Sequence, residues 1–396
     1  MPTSRKKTLD ALKFYCESHN FAGHDPYDAL NSPLLRGMSF GNKYLRIAFT
    51  QVLKRLPFNL RSLFLVPKDY NPKGLGLFLW GYAKLYALEK NTEYLIQIEK
   101  ILRLLDQCKT QTSLDSRLRG NDSGGGHGWG YNFDWQSRAF FVPKYTPTVV
   151  NSSFIGHALL DTFALTKLDK AREIALPIGD FILNNLQRLN EGGTICFSYT
   201  SIDHYFVHNA NLLGASLLIR LYKETDIQEY KTTALTALAY SMKHQRPDGS
   251  WFYAEKDISH WIDSFHTGFN LQAIRYFLDL GYAEEYRPQY EKGVRFYAEN
   301  FFLADGTPKY YHDRVYPIDI HSPAQAIVFF SGMGKQYEEL TKKILSWMTE
   351  NMQEPSGAFY FQKHRHYTNK IPYMRWSQAW AFHALTEYFY NLNGAN

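Results

Sequence analysis

Acidic and imidazole side chains stand in front of two neighbouring helical segments of this chain. Asp203, His204 and His208 precede one segment, and Asp263 and His266 precede the next. Two carboxylates can share acid and base work, because one holds a proton for a leaving oxygen while the other stays charged to activate water. Histidine can instead take a proton from a carbon beside a carboxylate. We expect these five residues to be catalytic.

Polar and aromatic clusters also precede the other helical segments. Their side chains are of the types that stack on sugar rings, form hydrogen bonds to them, or neutralise acidic groups. Each also has a structural alternative, as a helix cap or as a core side chain. The predicted substrate-binding residues are Trp129, Asp134, Arg138, Tyr145, Asn211, Trp251, Asn270, His321, Tyr373, Arg375, Trp376 and Gln378.

The clusters recur because the chain repeats one pattern, which is a tight turn, a short aromatic strand, a polar loop and a helix. The clearest copy runs from Gln245 through Asp248, Gly249 and Trp251 to a helix that begins near Asp263. Asp and Gly favour the turn, since Gly adopts positive φ without strain and Asp bonds its own backbone. The six helices share a small residue at an equivalent position, namely Ala83, Ala158, Ser216, Ala273, Ala326 and Ala384.

The spacing of these repeats predicts an all-α fold of stacked helical hairpins. The small residues recur every 53 to 58 positions, except for a first interval of 75. Residues 112–126 are mostly polar or glycine, and removing them restores the period, so we interpret them as a flexible insertion. Two helices per repeat indicate six hairpins closed into an (α/α)6 toroid, with short aromatic turn strands at one mouth.

Such a ring has an inner circle of apolar helices and an outer circle of amphipathic helices. Five outer helices follow inner ones, and we expect a helix near residues 43–60 to take the sixth outer position. The predicted organisation is therefore an N-terminal extension and lid, residues 1–42, and a toroid, residues 43–396. Residues at the same position in successive repeats lie at the same height in such a ring. The polar clusters should therefore converge on one end of the ring, which is one mouth of the toroid.

Composition and charge argue against several classes of protein. The formal net charge of +6 is mild for 396 residues, which argues against a nucleic-acid partner. Cys16, Cys108 and Cys196 lack metal-type spacing, and we predict neither a metal nor a cofactor. The first residues lack an apolar signal-peptide core, which favours a cytoplasmic protein. No pattern specifies an oligomeric state.

Residues 44–68 mix basic and apolar side chains. An amphipathic segment of this kind is typical of an outer helix whose charges face water. It is also typical of a peripheral contact with an anionic membrane. The sequence alone leaves both interpretations open.

The turn from Asp248 to Trp251 and the last inner segment, residues 374–380, carry a resemblance to a known superfamily. The pattern resembles the (α/α)6 toroid carbohydrate-active enzymes, which include unsaturated glucuronyl hydrolases, polysaccharide lyases and glucuronyl C5-epimerases. The resemblance is architectural and covers nearly the whole chain. It implies an enzyme of bacterial polysaccharide metabolism that hydrolyses, eliminates or epimerises an acidic, uronate-type glycan. In the hydrolases two aspartates of neighbouring repeats are acid and base, which implies these roles for Asp203 and Asp263.

Two other classes of protein stay open. Gln245, Gly249 and Trp251 match the spacing of the repeated glutamine and tryptophan turn of triterpene cyclases, themselves α/α toroids. The aspartate-rich protonating motif of those enzymes, Asp-x-Asp-Asp, does not occur in the sequence. A toroid that has kept its groove but lost its carboxylates would be a non-catalytic glycan-binding or scaffold protein.

Overall fold

Helices dominate the computed structural model, which describes residues 3–112, 126–137 and 141–394. A π-helical turn, Met374–Ala379, leads directly into the last helix. The α-helices are α1 (Thr3–Ser18), α2 (Pro33–Met38), α3 (Lys43–Arg55), α4 (Pro72–Glu89), α5 (Thr92–Cys108), α6 (Val149–Thr166), α7 (Asp169–Ala175), α8 (Ile178–Asn185), α9 (His208–Thr225), α10 (Gln228–Lys243), α11 (Ser264–Asp279), α12 (Arg287–Asn300), α13 (His321–Ser331), α14 (Glu338–Met352) and α15 (Trp380–Gly394).

Short strands lie in the segments that lead into the inner helices. They pair antiparallel as β1 with β2, β3 with β4, β5 with β6, and β7 with β8 and β9. Their bounds are β1 (Thr110–Gln111), β2 (His127–Gly128), β3 (Trp135–Gln136), β4 (Phe141–Val142), β5 (Arg188–Glu191), β6 (Thr194–Phe197), β7 (Ile318–Asp319), β8 (Gln362–Lys363) and β9 (Thr368–Asn369).

Six helices form the inner ring. Helices α4, α6, α9, α11, α13 and α15 pack in cyclic order, each against the next, and α15 returns to α4. They are apolar around most of their circumference, as a helix enclosed on all sides must be. In α4, for example, every residue from Pro72 to Leu85 is buried. The prediction of an (α/α)6 toroid is confirmed.

Helices with one apolar stripe form the outer ring. In α5 the buried residues follow helical spacing, with Tyr94, Ile98, Ile101, Leu102 and Leu105 on one face. Helices α5, α7 with α8, α10, α12 and α14 each follow an inner helix. Burial of these stripes against the inner ring supplies the main stabilisation of the hairpins.

The sixth outer position belongs to α1, and the expectation that a helix near residues 43–60 takes it is wrong. Three copies of the repeated turn show this, because in each of them the glycine approaches the next outer helix too closely for a Cβ. A Cβ on Gly249 would lie 2.6 Å from the Lys292 carbonyl of α12, and one on Gly306 would lie 2.5 Å from the Lys343 backbone of α14. A Cβ on Gly357 would lie 2.4 Å from the Ala11 backbone of α1.

A side-chain contact that recurs in two of these turns also shows that α1 is equivalent to the other outer helices. Gln245 Nε2 donates to the carbonyls of Gly249 and of Gln289, the latter on α12, both at 2.9 Å. Gln353 Nε2 donates to the carbonyl of Gly357 at 3.0 Å and to that of Thr8, on α1, at 3.1 Å. Each glutamine ties its own turn to the next outer helix. Packing thus accounts for the cyclase-like spacing of Gln245 and Gly249.

Helix α3 lies instead beside the mouth of the ring, which we define as the end at which the inner helices begin. It packs on α2, on β3 and on the 3₁₀ turn Asp28–Asn31. Leu53 of α3 belongs to a small separate core with Ala29, Leu35 and Val66. The extension and lid predicted for residues 1–42 is therefore divided in space, since α1 is part of the ring and residues 21–36 reach the mouth. None of the described helices combines the length and the apolar composition needed to span a membrane.

The predicted insertion falls mostly on residues 113–125, which lie outside the described residues. Its two ends are adjacent, because the Thr112 N–H donates to the Gly126 carbonyl at 2.9 Å and β1 pairs with β2 just beyond. A Cβ on Gly126 would lie 2.3 Å from the backbone nitrogen of Phe181, so this end is packed against α8.

We expect residues 113–125 to be replaceable by Asn-Gly, a dipeptide that closes a two-residue hairpin. The melting temperature should change by no more than a few degrees, because the ring packing is untouched. Gly126→Ala is the matched control, and it should lower the melting temperature because its Cβ meets the backbone of α8. Differential scanning calorimetry measures both. A large loss of stability in the shortened chain would show that these residues pack into the body.

Candidate functional site

A cavity of about 250 Å³ opens at the mouth of the ring. The N-terminal residues of all six inner-helix segments reach it, namely Lys73, Val150, Asn209, His266, His321 and Arg375. The rest of the lining is largely aromatic, and comprises Tyr27, Tyr131, Phe133, Trp135, Tyr199, Tyr253, Trp261, Asp263, Phe265, Phe269, Tyr310, Tyr311 and Trp376. The partial positive charge of the helix N-termini favours anionic groups here, and the rings offer stacking surfaces.

Asp263 orients His266 at the start of α11. The Asp263 carboxylate caps the helix by accepting from the His266 backbone N–H at 3.0 Å. Its second oxygen lies 2.7 Å from His266 Nδ1 and 3.2 Å from Trp261 Nε1. This arrangement assigns the proton to Nδ1 and leaves His266 Nε2 to act on a ligand. A carboxylate at Nδ1 also stabilises the imidazolium when Nε2 takes up a proton.

His321 is a buried imidazole at the start of α13. Its ring stacks on Phe265 at a centroid distance of 4.5 Å and lies 4.2 Å from the ring of Trp380. Neither ring nitrogen has a hydrogen-bond partner among the described residues. Burial lowers the pKa of His321 well below its ordinary value, and the charges of Lys73 and Arg375 lower it further. His321 is therefore neutral at pH 7.

Lys73 brings an amine to the floor of the cavity from the first turn of α4. Its Nζ lies 4.1 Å from the ring centroid of Phe154 and 5.3 Å from those of Phe269 and Trp380. Burial lowers the pKa of Lys73 well below its ordinary value, and Arg375 adds to this, while Asp25 opposes it. Within the described chain no carboxylate forms an ion pair with this amine. An anionic ligand would favour its charged form.

Arg375 is fixed by a buried carboxylate. Its Nε and one terminal nitrogen donate to the two oxygens of Asp25 at 2.6 and 2.8 Å. The guanidinium also lies 4.9 Å from the ring centroid of Trp376 and 5.3 Å from that of Tyr131. Trp376 is held in turn, since its Nε1 donates to Asp319 at 2.8 Å. The pair presents a rigid polar edge to the cavity.

The structure brings together only some of the predicted site residues. Asp263, His266, His321, Arg375 and Trp376 line the cavity. Asn270 lies just below it, with a buried Oδ1 that lacks a partner among the described residues. Arg138 lies outside the described residues.

Three residues predicted to be catalytic lie away from the described lining. The Asp203 carboxylate is taken up by its own loop, since it accepts from Thr200 N–H at 2.6 Å and from Tyr205 N–H at 2.8 Å. His204 is exposed. His208 is buried with both nitrogens engaged, Nδ1 at 3.2 Å from Ser241 Oγ and Nε2 at 2.7 Å from Glu255. The acid and base pair of Asp203 and Asp263 is thus not assembled at this cavity.

The remaining predicted binding residues have structural contacts outside the cavity lining. The indole N–H groups of Trp129 and Trp251 donate to the carbonyls of Leu105 and Ser241, so neither ring is a stacking platform. Asn211 and Gln378 bond to backbone groups of β6 and of residue 359. Asp134 accepts from Lys144 N–H, Tyr145 is two-fifths exposed, and the buried ring of Tyr373 lies under the Arg61 guanidinium.

Lys73, Trp135 and Trp261 are lining residues that the sequence reasoning did not single out as binding groups. A signal for Lys73 was present, because a lysine in the apolar first turn of an inner helix is costly to bury unless it faces a polar space or a ligand. Trp135 lies in the two-residue strand β3 before α6, and Trp261 lies in the irregular segment before α11, and both stretches are too short for periodicity to indicate direction. Their orientation depends on loop geometry alone.

Stability should fall in acid partly because of His321. Below about pH 6.5 the unfolded chain binds a proton on this imidazole that the folded chain does not, since folding lowers its pKa. Between about pH 7.5 and 5.5 this lowers the free energy of unfolding by about 1 kcal/mol. Urea denaturation should show a loss smaller by that amount in His321→Gln than in wild type. The exposed His204→Gln is the control, and equal losses in all three proteins would contradict a neutral buried His321.

Comparison with known proteins identifies the fold. No protein-family model and no curated protein sequence matches the chain. Cellobiose 2-epimerase from Bacillus thermoamylovorans matches with a TM-score of 0.60 and 13% identity, over 81% of this chain and 87% of that one. A GH76 α-mannanase from Bacteroides thetaiotaomicron gives 0.58 and 14%, over 82% and 87%. A D-mannose isomerase gives 0.56 and 13%, also over 82% and 87%. The chain shares the helical toroid fold of these carbohydrate-active enzymes.

Proposed function

We propose that this protein is a sugar epimerase that moves a proton at a carbon next to a carboxylate, with an acidic, uronate-type sugar as substrate. The observation that carries the proposal is the pair of imidazoles, His266 and His321, on neighbouring inner helices at one cavity. One imidazole is neutral, and its two nitrogens have no hydrogen-bond partner among the described residues, while the other is backed by Asp263. Two bases of this kind suit proton removal and proton return.

Hydrolysis by paired carboxylates is less well supported. That chemistry needs one protonated and one ionised carboxyl group on either side of the bond that breaks. Asp263 is the single acidic residue of the described lining, and it already bonds His266 and Trp261. Asp25 is occupied by Arg375. The described cavity therefore offers no second carboxylate for a hydrolytic water.

The proposed reaction conserves atoms and charge. One imidazole takes the C5 proton, and the electron pair of that C–H bond moves into the adjacent carboxylate to give an enediolate. Lys73, in its charged form, and the helix N-termini stabilise the added negative charge. The other imidazole, protonated, returns a proton to the opposite face of C5. The sugar leaves with the inverted configuration, and the two histidines have exchanged protonation states.

The charges around the cavity support an acidic substrate. Arg375 is balanced by Asp25, and Asp263 lies against His266, whereas Lys73 has no ion-pair partner in the described chain. A substrate carboxylate beside Lys73 would supply the missing partner. The aromatic walls, including Trp135 and Trp261, would hold the sugar ring by stacking.

A neutral sugar is the second candidate substrate. The structural neighbours include a cellobiose 2-epimerase and a D-mannose isomerase, whose names refer to neutral sugars. With such a substrate the same two imidazoles would move a proton next to the carbonyl of the open-chain sugar. The two candidates differ in their need for a cation at Lys73.

We expect His266→Gln and His321→Gln each to lower turnover by a factor of about 10² or more, because a positioned base contributes about 10² to 10⁴. The assay is proton NMR in deuterated water with glucuronate- and mannuronate-containing oligosaccharides. Epimerisation places deuterium at C5 of both epimers. His204→Gln, on the exposed surface, should keep full activity.

Other outcomes of that assay would count against the proposal. A vinyl proton in the product indicates elimination, and cleavage without deuterium at C5 indicates hydrolysis. Label at C2 of cellobiose or mannose, with no turnover of uronates, would establish the neutral-sugar candidate instead. Full activity in both histidine variants would place the chemistry elsewhere or exclude catalysis at this cavity.

Lys73→Met keeps the aliphatic bulk of the side chain but removes the amine. We expect it to raise KM for uronate oligosaccharides by a factor of about 10 or more, since a buried charge-assisted hydrogen bond is lost. Conversion of any neutral sugar should be unchanged or improved. Equal effects on acidic and neutral substrates would show that Lys73 does not recognise the carboxylate.

A further inference from the structure

One stretch of the chain beside the mouth carries positive charge and no negative charge. Residues 29–68, which we call the basic segment, contain seven Lys or Arg residues and no Asp or Glu. The formal net charge of +6 for the whole chain conceals this concentration. The seven residues are Arg36, Lys43, Arg46, Lys54, Arg55, Arg61 and Lys68. Of these, Arg61 is buried against Asp28, and Arg36 pairs with Asp134.

The basic segment also exposes many large apolar side chains. Of the nineteen that are exposed in the described chain, nine lie in these forty residues. The most exposed are Phe40 at 88%, Tyr44 at 76% and Leu63 at 70%. Isolated apolar residues are normal on a protein surface, but a local concentration of this kind indicates an interaction site.

Helix α3 turns several apolar side chains outward. Tyr44, Ala48 and Val52 follow each other at intervals of four residues, and all three are exposed. The opposite side of the helix holds Thr50 and Leu53, which are buried. Arg55 projects from the same side and is also exposed, so the outer face of α3 combines apolar and basic groups.

A fixed turn presents Phe40 at the tip of the segment. Phe40 and Gly41 both have positive φ, 48° and 73°, and the Asn42 N–H closes the turn on the Ser39 carbonyl at 2.7 Å. Asn42 then caps α3 through its side chain. A bulky residue in the left-handed region is strained, and here that conformation points an aromatic ring into solvent.

We propose that the basic segment docks the protein on an anionic lipid bilayer. Apolar side chains among basic residues, without acidic ones, are the composition of segments that lie in the headgroup region of such a membrane. The aromatic and aliphatic groups enter the interface, and Arg55 and Lys68 contact lipid phosphates. A second copy of this chain is a poorer occupant, because a symmetric contact would bring the same positive charges together.

Docking would set the cavity beside the bilayer. Lys54 of α3 donates to the hydroxyl of Tyr27 at 2.6 Å, and Tyr27 lines the cavity. Helix α3 also packs on β3, whose Trp135 lines the cavity. Resting on the proposed function, we infer that the substrate is a glycan anchored to a lipid, whose sugar reaches the mouth from the membrane surface.

Sedimentation with lipid vesicles tests the docking directly. We expect the protein to bind vesicles of phosphatidylcholine with roughly 30 mol % phosphatidylglycerol at about 0.1 M salt, and at least tenfold less to phosphatidylcholine alone. Raising salt to about 0.5 M should weaken binding. The triple variant Phe40→Ser, Tyr44→Ser, Leu63→Ser should bind at least tenfold more weakly. Phe14→Ser, Ile96→Ser changes exposed apolar residues outside the segment and should bind like wild type.

The opposing results are equally distinct. No binding to phosphatidylglycerol vesicles, or equal binding by the triple variant with its melting temperature retained, overturns the docking. A wild-type dimer that the triple variant converts to a monomer in sedimentation equilibrium identifies the face as a protein interface and also overturns it. Turnover of soluble oligosaccharides by the triple variant separates the two proposals. If the triple variant loses vesicle binding but keeps turnover, the segment acts in docking and not in catalysis. If the wild-type protein binds vesicles but turns over no sugar, the proposed function is refuted and the docking is not.

Discussion

A buried ion pair joins the two ends of the chain at the mouth of the ring. Arg375, at the start of the last inner segment, is held by Asp25, 350 residues earlier in the sequence. A second buried pair, Asp28 with Arg61, anchors the basic segment beside it. Burial raises the pKa of Asp28 to about 6 even though Arg61 opposes this, so the second pair is fully charged only above that pH. Removing one partner of such a pair typically costs about 3 to 5 kcal/mol, because the other charge stays buried without compensation.

These pairs explain how a ring of helices acquires a shaped pocket. The toroid itself brings the first residues of six inner helices to one level, but it leaves the mouth open. Because Asp25 is fixed, its near neighbour Tyr27 is placed in the cavity wall, where the Tyr27 ring lies 5.6 Å from that of Trp376. The backbone of the N-terminal loop is also held at this place, since the Met374 N–H donates to the His24 carbonyl at 3.1 Å. The N-terminal loop thus closes one side of the site and fixes Arg375 at once.

The sequence repeat made the fold and part of the site predictable. The residues that could not be placed lie in loops, whose conformation the repeat does not determine. Equal phase correctly placed His266, His321 and Arg375 at one level, because each lies in the first turn of an inner segment. Asp203 has a similar position in its repeat but stands five residues before α9. That length lets the loop fold back, so that the Asp203 carboxylate accepts hydrogen bonds from the loop's own backbone. Asp263 stands one residue before α11 and has no such freedom. The sixth outer position could not be assigned from sequence for a related reason. Both α1 and α3 are amphipathic helices, and only tertiary contacts with turns such as that of Gly357 select between them.

The electrostatics of the cavity support the proposed acidic substrate. Lys73 and His321 are both pushed toward their neutral forms by burial, and Arg375 adds to this at each of them. An entering carboxylate reverses the balance at Lys73, because opposite charge favours the ammonium form. In the proposed epimerisation the cavity would gain a proton with the anion, and the charge that stabilises the enediolate would appear only with the substrate in place. His321 is enclosed by aromatic rings, and neither of its ring nitrogens has a partner among the described residues. The same burial that makes an isolated lysine costly therefore makes the charge of Lys73 depend on the ligand beside it.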